Sequence, residues 1–89
     1  MLKVIDSGRQ DGFTVLRLEG RVVGPWVEEL RQASQKARGL REPLRLDLGE
    51  VSYLDAAGID LLCELAGEGV ALVNASAFVA EQLRAFDRG

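Results

Sequence analysis

The stretch from Pro43 to Ala66 limits the possible folds more than any other part of the chain. In Pro43-Leu44-Arg45-Leu46-Asp47-Leu48 the leucines alternate with charged residues. A period of two belongs to a strand, and it places Leu44, Leu46 and Leu48 on one face. Gly49 to Leu54 reads as a short extended link. The apolar run stops at Asp55, and the period then becomes helical, with Ile59, Leu62, Cys63 and Ala66 on one face. Asp55 is a good N-cap for that helix. The chain therefore turns sharply from strand into helix at Asp55-Ala56-Ala57-Gly58. Corners of this kind usually present a nucleophile, a phosphate or a modified hydroxyl, but this one presents methyl groups.

The rest of the chain repeats the alternation. Leu2–Asp6 and Phe13–Gly20 read as strands, and the two glycines of Ser7-Gly8-Arg9-Gln10-Asp11-Gly12 suit a turn between them. A connection this short favours antiparallel pairing. Phe13, Val15 and Arg17 share one face of the second strand; Thr14, Leu16 and Leu18 share the other, which suggests burial on both faces. A helix follows, with Gly24 at its cap, Pro25 at its first position and Gly39 as its stop. Its apolar stripe is Trp26, Leu30, Ala33 and Ala37, widened by Val27, with Trp26 as a core anchor. Gly67-Glu68-Gly69 ends the second helix, and Val70–Val73 is a short buried strand. Asn74-Ala75-Ser76 then caps a third helix with the stripe Val79, Leu83 and Phe86. The predicted order is β-β-α-β-α-β-α. It gives an α/β fold with a small mixed sheet: an antiparallel N-terminal edge strand, the remainder parallel, flanked by three helices.

Eighty-nine residues, with 47% apolar and 28% charged, fit one globular domain over residues 1–89. A chain this short buries a modest share of its surface, so a partner is expected to add to its stability. The net charge of −3 argues against nonspecific binding to nucleic acid. No Lys or Arg lies between Arg45 and Arg84, whereas Asp47, Glu50, Asp55, Asp60, Glu64, Glu68 and Glu81 do. Those acids read either as solvated faces or as an acidic surface that meets a basic partner. One cysteine, no long apolar N-terminal segment and no apolar run of membrane-spanning length point to a cytoplasmic chain without direct membrane insertion.

The catalytic inventory is thin. The chain has no histidine, hence no Ser-His or Cys-His pair. Cys63 falls on an apolar helix face and reads as buried and inert. The glycines near Gly20 and Gly24 lack the lysine and spacing of a phosphate loop. Asp55, Asp60 and Glu64 are not clustered as metal ligands would be. These residues imply no enzyme, no metal and no cofactor. The corner remains: a helix N-terminus at the carboxyl end of a strand, the edge where α/β sheets bind ligands and partners.

Four segments resemble the STAS domain, the fold of bacterial anti-sigma-factor antagonists. They are Leu16-Arg17-Leu18-Glu19-Gly20-Arg21, Leu46 through Asp55, Asp55-Ala56-Ala57-Gly58-Ile59, and Val73-Asn74-Ala75-Ser76-Ala77-Phe78-Val79. The resemblance implies a protein-binding regulator rather than an enzyme. In the antagonists a kinase phosphorylates the serine of Asp-Ser-x-Gly, and the unphosphorylated form binds the anti-sigma kinase. Here Ala56 stands at the serine's position, and Val23 stands where the family often has an aspartate. The second helix is also short, and relatives usually continue beyond Gly89 with another element.

The resemblance offers two partner classes. One is an anti-sigma factor of the serine-kinase kind; the other is a subunit of a lipid ABC transporter for which the chain is a small cytoplasmic regulator. The expected contacts are Arg21, Gly24, Tyr53, Leu54, Asp55, Ala56, Ala57, Gly58 and Ile59. Backbone N–H groups at the helix start also allow a nucleotide-binding reading. Ser34, Ser52 and Ser76 are the other candidate phosphoacceptors, with Ser76 better suited as an N-cap.

Overall fold

The computed structural model describes residues 1–38 and 43–87, the last two of these in backbone only. In order, the elements are β1 (Leu2–Gln10), β2 (Phe13–Val22), α1 (Pro25–Arg38), β3 (Leu44–Leu54), α2 (Ala56–Gly67), β4 (Ala71–Val73) and α3 (Ala77–Asp87). The four strands lie in the order β1-β2-β3-β4. β1 runs antiparallel to β2, and the other two pairings are parallel. This is the mixed sheet with three helices that the alternating pattern predicts. Gly39 and the Phe86 side chain, expected as the stop of α1 and on the stripe of α3, lie outside the described residues.

The first hairpin is tighter than the turn residues suggested. β1 continues through Ser7–Gln10, with a bulge between Asp6 and Arg9, and Gln10 faces Phe13. Asp11 and Gly12 alone make the turn, both at positive φ (54° and 82°), as a type I′ turn requires. The link expected at Gly49–Leu54 is the second half of one 11-residue strand. Its pairing with β2 shifts register between Arg17 and Glu19 and again between Gly20 and Arg21. These shifts break the period of two, which is why the segment does not read as a strand.

Both crossovers, β2-α1-β3 and β3-α2-β4, move the same way across the sheet. Right-handed connections then place α1 and α2 on one face. The core lies there: Leu16, Leu18, Leu44, Leu46 and Leu48 pack with Val27 and Leu30 of α1, Leu61, Leu62 and Leu65 of α2, and Val79 of α3. The smallest extent of the chain is 19 Å, the thickness of one sheet and one helix layer. The opposite face of the sheet carries no helix among the described residues. Val15 is buried there, Phe13 is half-buried and Arg17 is exposed, so β2 is covered on its second face only in part.

Two helix faces are rotated from their expected positions. On α1 the buried residues are Val27, Leu30, Ser34 and Ala37, while Trp26 and Ala33 sit at the margin. On α2 they are Gly58, Leu61, Leu62 and Leu65; Ile59 and Cys63 are half-buried and Ala66 is exposed. Apolar residues all around α2 made several faces equally plausible, and packing beneath both α1 and α3 chose one. α2 closes with a Schellman motif: Val70 N–H donates to Leu65 O (3.0 Å) and Gly69 N–H to Ala66 O (3.1 Å).

Side by side, α1 and α2 are joined by ion pairs, Arg31 to Glu64 at 2.7 Å and Arg38 to Glu68. The bond that Arg31 donates to Glu64 pushes its guanidinium above the ordinary value, and the charges of Glu64, Glu28 and Asp60 add to that. Glu64, Glu68 and, with Arg84, Glu81 are thus paired at the surface with arginines of the same chain. The rotated α2 face has a measurable consequence. Leu62→Ala is expected to cost about 2–5 kcal/mol in urea denaturation, and Ala66→Ser to stay within about 0.5 kcal/mol.

Candidate functional site

The corner is built around Asp55. β3 ends at Leu54, and Asp55 keeps extended backbone (φ −85°, ψ 179°) before α2 begins. Its Oδ1 accepts the Gly58 N–H at 2.8 Å, which is the N-cap bond the sequence predicts. Its backbone carbonyl accepts Ile59 N–H at 2.9 Å. Its Oδ2 accepts the N–H of Gly24 at 2.8 Å, across 31 residues of chain. Its own N–H donates to Val22 O at 3.2 Å. One residue therefore joins the carboxyl ends of β2 and β3, the loop that starts α1 and the first turn of α2. Gly58 makes the close approach possible, because a Cβ there would lie 2.4 Å from Val22 O.

Gln82 of α3 supports the corner from the other side. β4 pairs only with Arg45–Asp47, so the end of β3 has no strand neighbour on that side. The Gln82 carboxamide takes that place: its Oε1 accepts Leu54 N–H at 3.2 Å, and its Nε2 donates to Leu54 O at 2.9 Å. Both backbone groups are satisfied by one side chain. Nothing in the local sequence pattern marks Gln82, since the bond spans 28 residues.

The expected contact residues divide by exposure. Ala56 and Ala57 are exposed on the first turn of α2, Arg21 and Gly24 are exposed at the end of β2 and in its loop, and Tyr53 is 43% exposed. Leu54 and Gly58 are buried and hold the corner from within; Asp55 and Ile59 are half-buried. The sequence reading missed Phe78, which is 56% exposed in the first turn of α3 and stacks on Tyr53 (ring centroids 6.3 Å apart, planes at 24°). Its signal was available: Phe78 is an aromatic residue one position off the stripe that Val79 and Leu83 define.

The other candidate residues have structural roles. The Ser76 hydroxyl accepts Val79 N–H at 3.2 Å and caps α3. Ser34 is completely buried, out of reach of a modifying enzyme. Ser52 is exposed, and its hydroxyl donates to Gly20 O at 3.4 Å. Glu64, which with Asp55 and Asp60 does not read as a metal-ligand cluster, is held by Arg31. Among the described residues no group of three or more His, Cys, Asp or Glu side chains converges. Two surface grooves, of about 300 and 460 Å³, lie away from the corner, beneath β1 and α1 and between α2, β4 and α3.

The STAS_2 family model, described as "Mlab, STAS domain", matches residues 5–88. The chain belongs to this STAS family. Among solved structures it is similar to the anti-sigma factor antagonist SpoIIAA in its unphosphorylated form, with a TM-score of 0.68 and 18% sequence identity. That match covers 94% of this chain and 82% of SpoIIAA, and at this identity it shows a shared fold. No curated protein sequence matches the chain. No helix among the described residues is long and apolar enough to cross a membrane.

The geometry at Asp55 predicts an ordered series of variants. Asp55→Ala removes the cap and the tether to Gly24 together and is expected to cost about 1–3 kcal/mol. Asp55→Asn keeps an acceptor for each role in turn, not both, and should cost less. Gly58→Ala forces the Cβ clash with Val22 O and should destabilise the chain, whereas Gly67→Ala, open on all sides in the same helix, should stabilise it by up to about 1 kcal/mol. Urea denaturation of the four variants checks the order.

Proposed function

We propose that the chain is a non-catalytic regulatory module that binds a protein partner through the β3–α2 corner. The observation that carries this reading is the division of labour there. Asp55, Gly58, Leu54 and Gln82 fix the corner from inside, and Ala56, Ala57, Tyr53 and Phe78 are left outward. Two methyl-bearing residues on a helix start let another backbone come close, and two exposed aromatic rings are strong contact residues.

In this reading Ala56 occupies the position of the family's phosphoserine. A phosphate would add about −1.5 to −2 charge beside Asp55 and repel a docked partner. With alanine there, the corner stays in its unphosphorylated form, and control of binding lies elsewhere. The reading also disfavours a nucleotide at this helix start. The Asp55 carboxylate already takes the anion's place at the positive end of the helix dipole, and a phosphate would meet it as a like charge.

The partner belongs to one of two classes, an anti-sigma factor of the serine-kinase kind or a subunit of a lipid ABC transporter. The STAS_2 description carries the Mlab name rather than that of the antagonists, and this keeps the second class beside the first. Affinity capture with the wild-type chain and Ala57→Arg in parallel tests the site. A partner held by wild type and lost in Ala57→Arg is expected, and its sequence assigns the class. A partner retained by Ala57→Arg would move the interface off the corner. Ala56→Ser is expected to become a phosphoacceptor for a kinase partner, and phosphopeptide mapping reads that directly.

A further inference from the structure

The sheet face opposite the helices has a charge order that is complementary to itself. The strand registers set Ile5, Arg17, Asp47 and Val73 in one row across all four strands. Read from β1 to β4, the row is apolar, positive, negative, apolar. A two-fold axis parallel to the strands, midway between two facing sheets, reverses the strand order and keeps each row level. It therefore sets β1 over β4 and β2 over β3 of the second sheet. Arg17 then lies opposite the second copy's Asp47, and Ile5 opposite its Val73.

The next row strengthens the match. Val15 and Arg45 are partners in that row, and Val15 is only 3% exposed although it lies outside the helix-side core. Arg45 lies over the Phe13 ring at 4.2 Å, and its Nε is buried with no hydrogen-bond partner among the described residues. The same axis sets Arg45, with its stem and the Phe13 ring beneath it, opposite the second copy's Val15, an apolar contact beside the charged pair. In the charged row, Asp47 Oδ1 accepts Gly49 N–H at 2.9 Å, which leaves Oδ2 for the second copy's Arg17. One row in the other direction, Glu19 faces Glu50 in the same arrangement. Lys3 is the partner of Glu19 on β1, and Arg17 Nη2 pairs with Glu19 at 2.8 Å; both offset that repulsion and leave the other N–H groups of Arg17 for Asp47, so the contact centres on the Ile5–Val73 row.

Parallel strands are ordinarily covered on both faces, and here the second face of β2, β3 and β4 carries no helix among the described residues and is covered only in part. We propose that the bare face is an isologous contact between two copies of this chain, with Arg17–Asp47 pairs at its centre and Ile5–Val73 contacts at its margins. Sheets meeting this way stack about 10 Å apart, close enough for those side chains to touch. The corner at Asp55 stays outside the contact, so a dimer leaves it open to another protein.

Sedimentation velocity of the full chain over rising concentration tests the proposal. A monomer–dimer equilibrium is expected, with Val73→Arg raising its dissociation constant about tenfold or more. Ile5→Lys gives the same reading should the Val73 variant fail to fold. Arg17→Asp and Asp47→Arg should each weaken the dimer, and the two together should restore it. Ala57→Arg, at the corner, should leave the dimer unchanged, which separates this contact from the proposed partner site. A chain that stays monomeric up to millimolar concentration overturns the proposal. So does a dimer that Ala57→Arg dissociates, or one that survives Val73→Arg and Ile5→Lys.

Discussion

The Asp55 carboxylate is the interaction on which the arrangement of this chain depends. It accepts two backbone N–H groups, one from the helix it caps and one from a loop 31 residues earlier. Neither donor has another partner in the regular ladders; without the carboxylate the Gly58 N–H, in a buried residue, would carry the cost of an unmade bond, and the exposed Gly24 N–H would turn to water and release the loop. Because the two bonds share one side chain, the loop before α1 and the start of α2 cannot shift independently. Hydrophobic burial supplies most of the favourable energy of such a domain, but burial is non-directional. The carboxylate gives the helix layer its position relative to the ends of β2 and β3.

The rest of the corner follows from that constraint. With Val22 O drawn close, residue 58 has no room for a Cβ. Because β4 is only three residues long, the end of β3 needs another hydrogen-bonding neighbour, and Gln82 provides it from α3. That bond places the first turn of α3 beside β3, which brings Phe78 onto Tyr53. The outward surface is thus assembled from β3, α2 and α3, each held by a different backbone contact.

Much of this was legible in sequence where local chemistry and tertiary demand agree. The leucines of β3, the Asp55 cap, Pro25 at the start of α1 and Ser76 at the start of α3 each have one favourable local role, and the fold uses it. The order of elements followed from the switch between the two periods. What did not read through was set by distant partners. The second half of β3 looked like a link because register shifts against β2 break its alternation. The buried face of α2 was ambiguous because apolar residues surround the helix, and α1 and α3 decide which of them are covered. Gln82 is silent in sequence because its partner lies across the fold. The acids between Arg45 and Arg84 read either as solvated faces or as an acidic surface for a partner, and the pairing of Glu64 and Glu68 with α1 is set by residues far away in the chain.

Amide hydrogen exchange of the chain, alone and with its captured partner, tests the account at the level of single segments. The proposed docking of a protein on this inwardly braced corner predicts new protection concentrated over residues 53–59 and 76–80, with the α1 surface unchanged. Protection confined to α1 or to the bare face of the sheet, with residues 53–59 exchanging as they do in the free chain, would contradict it.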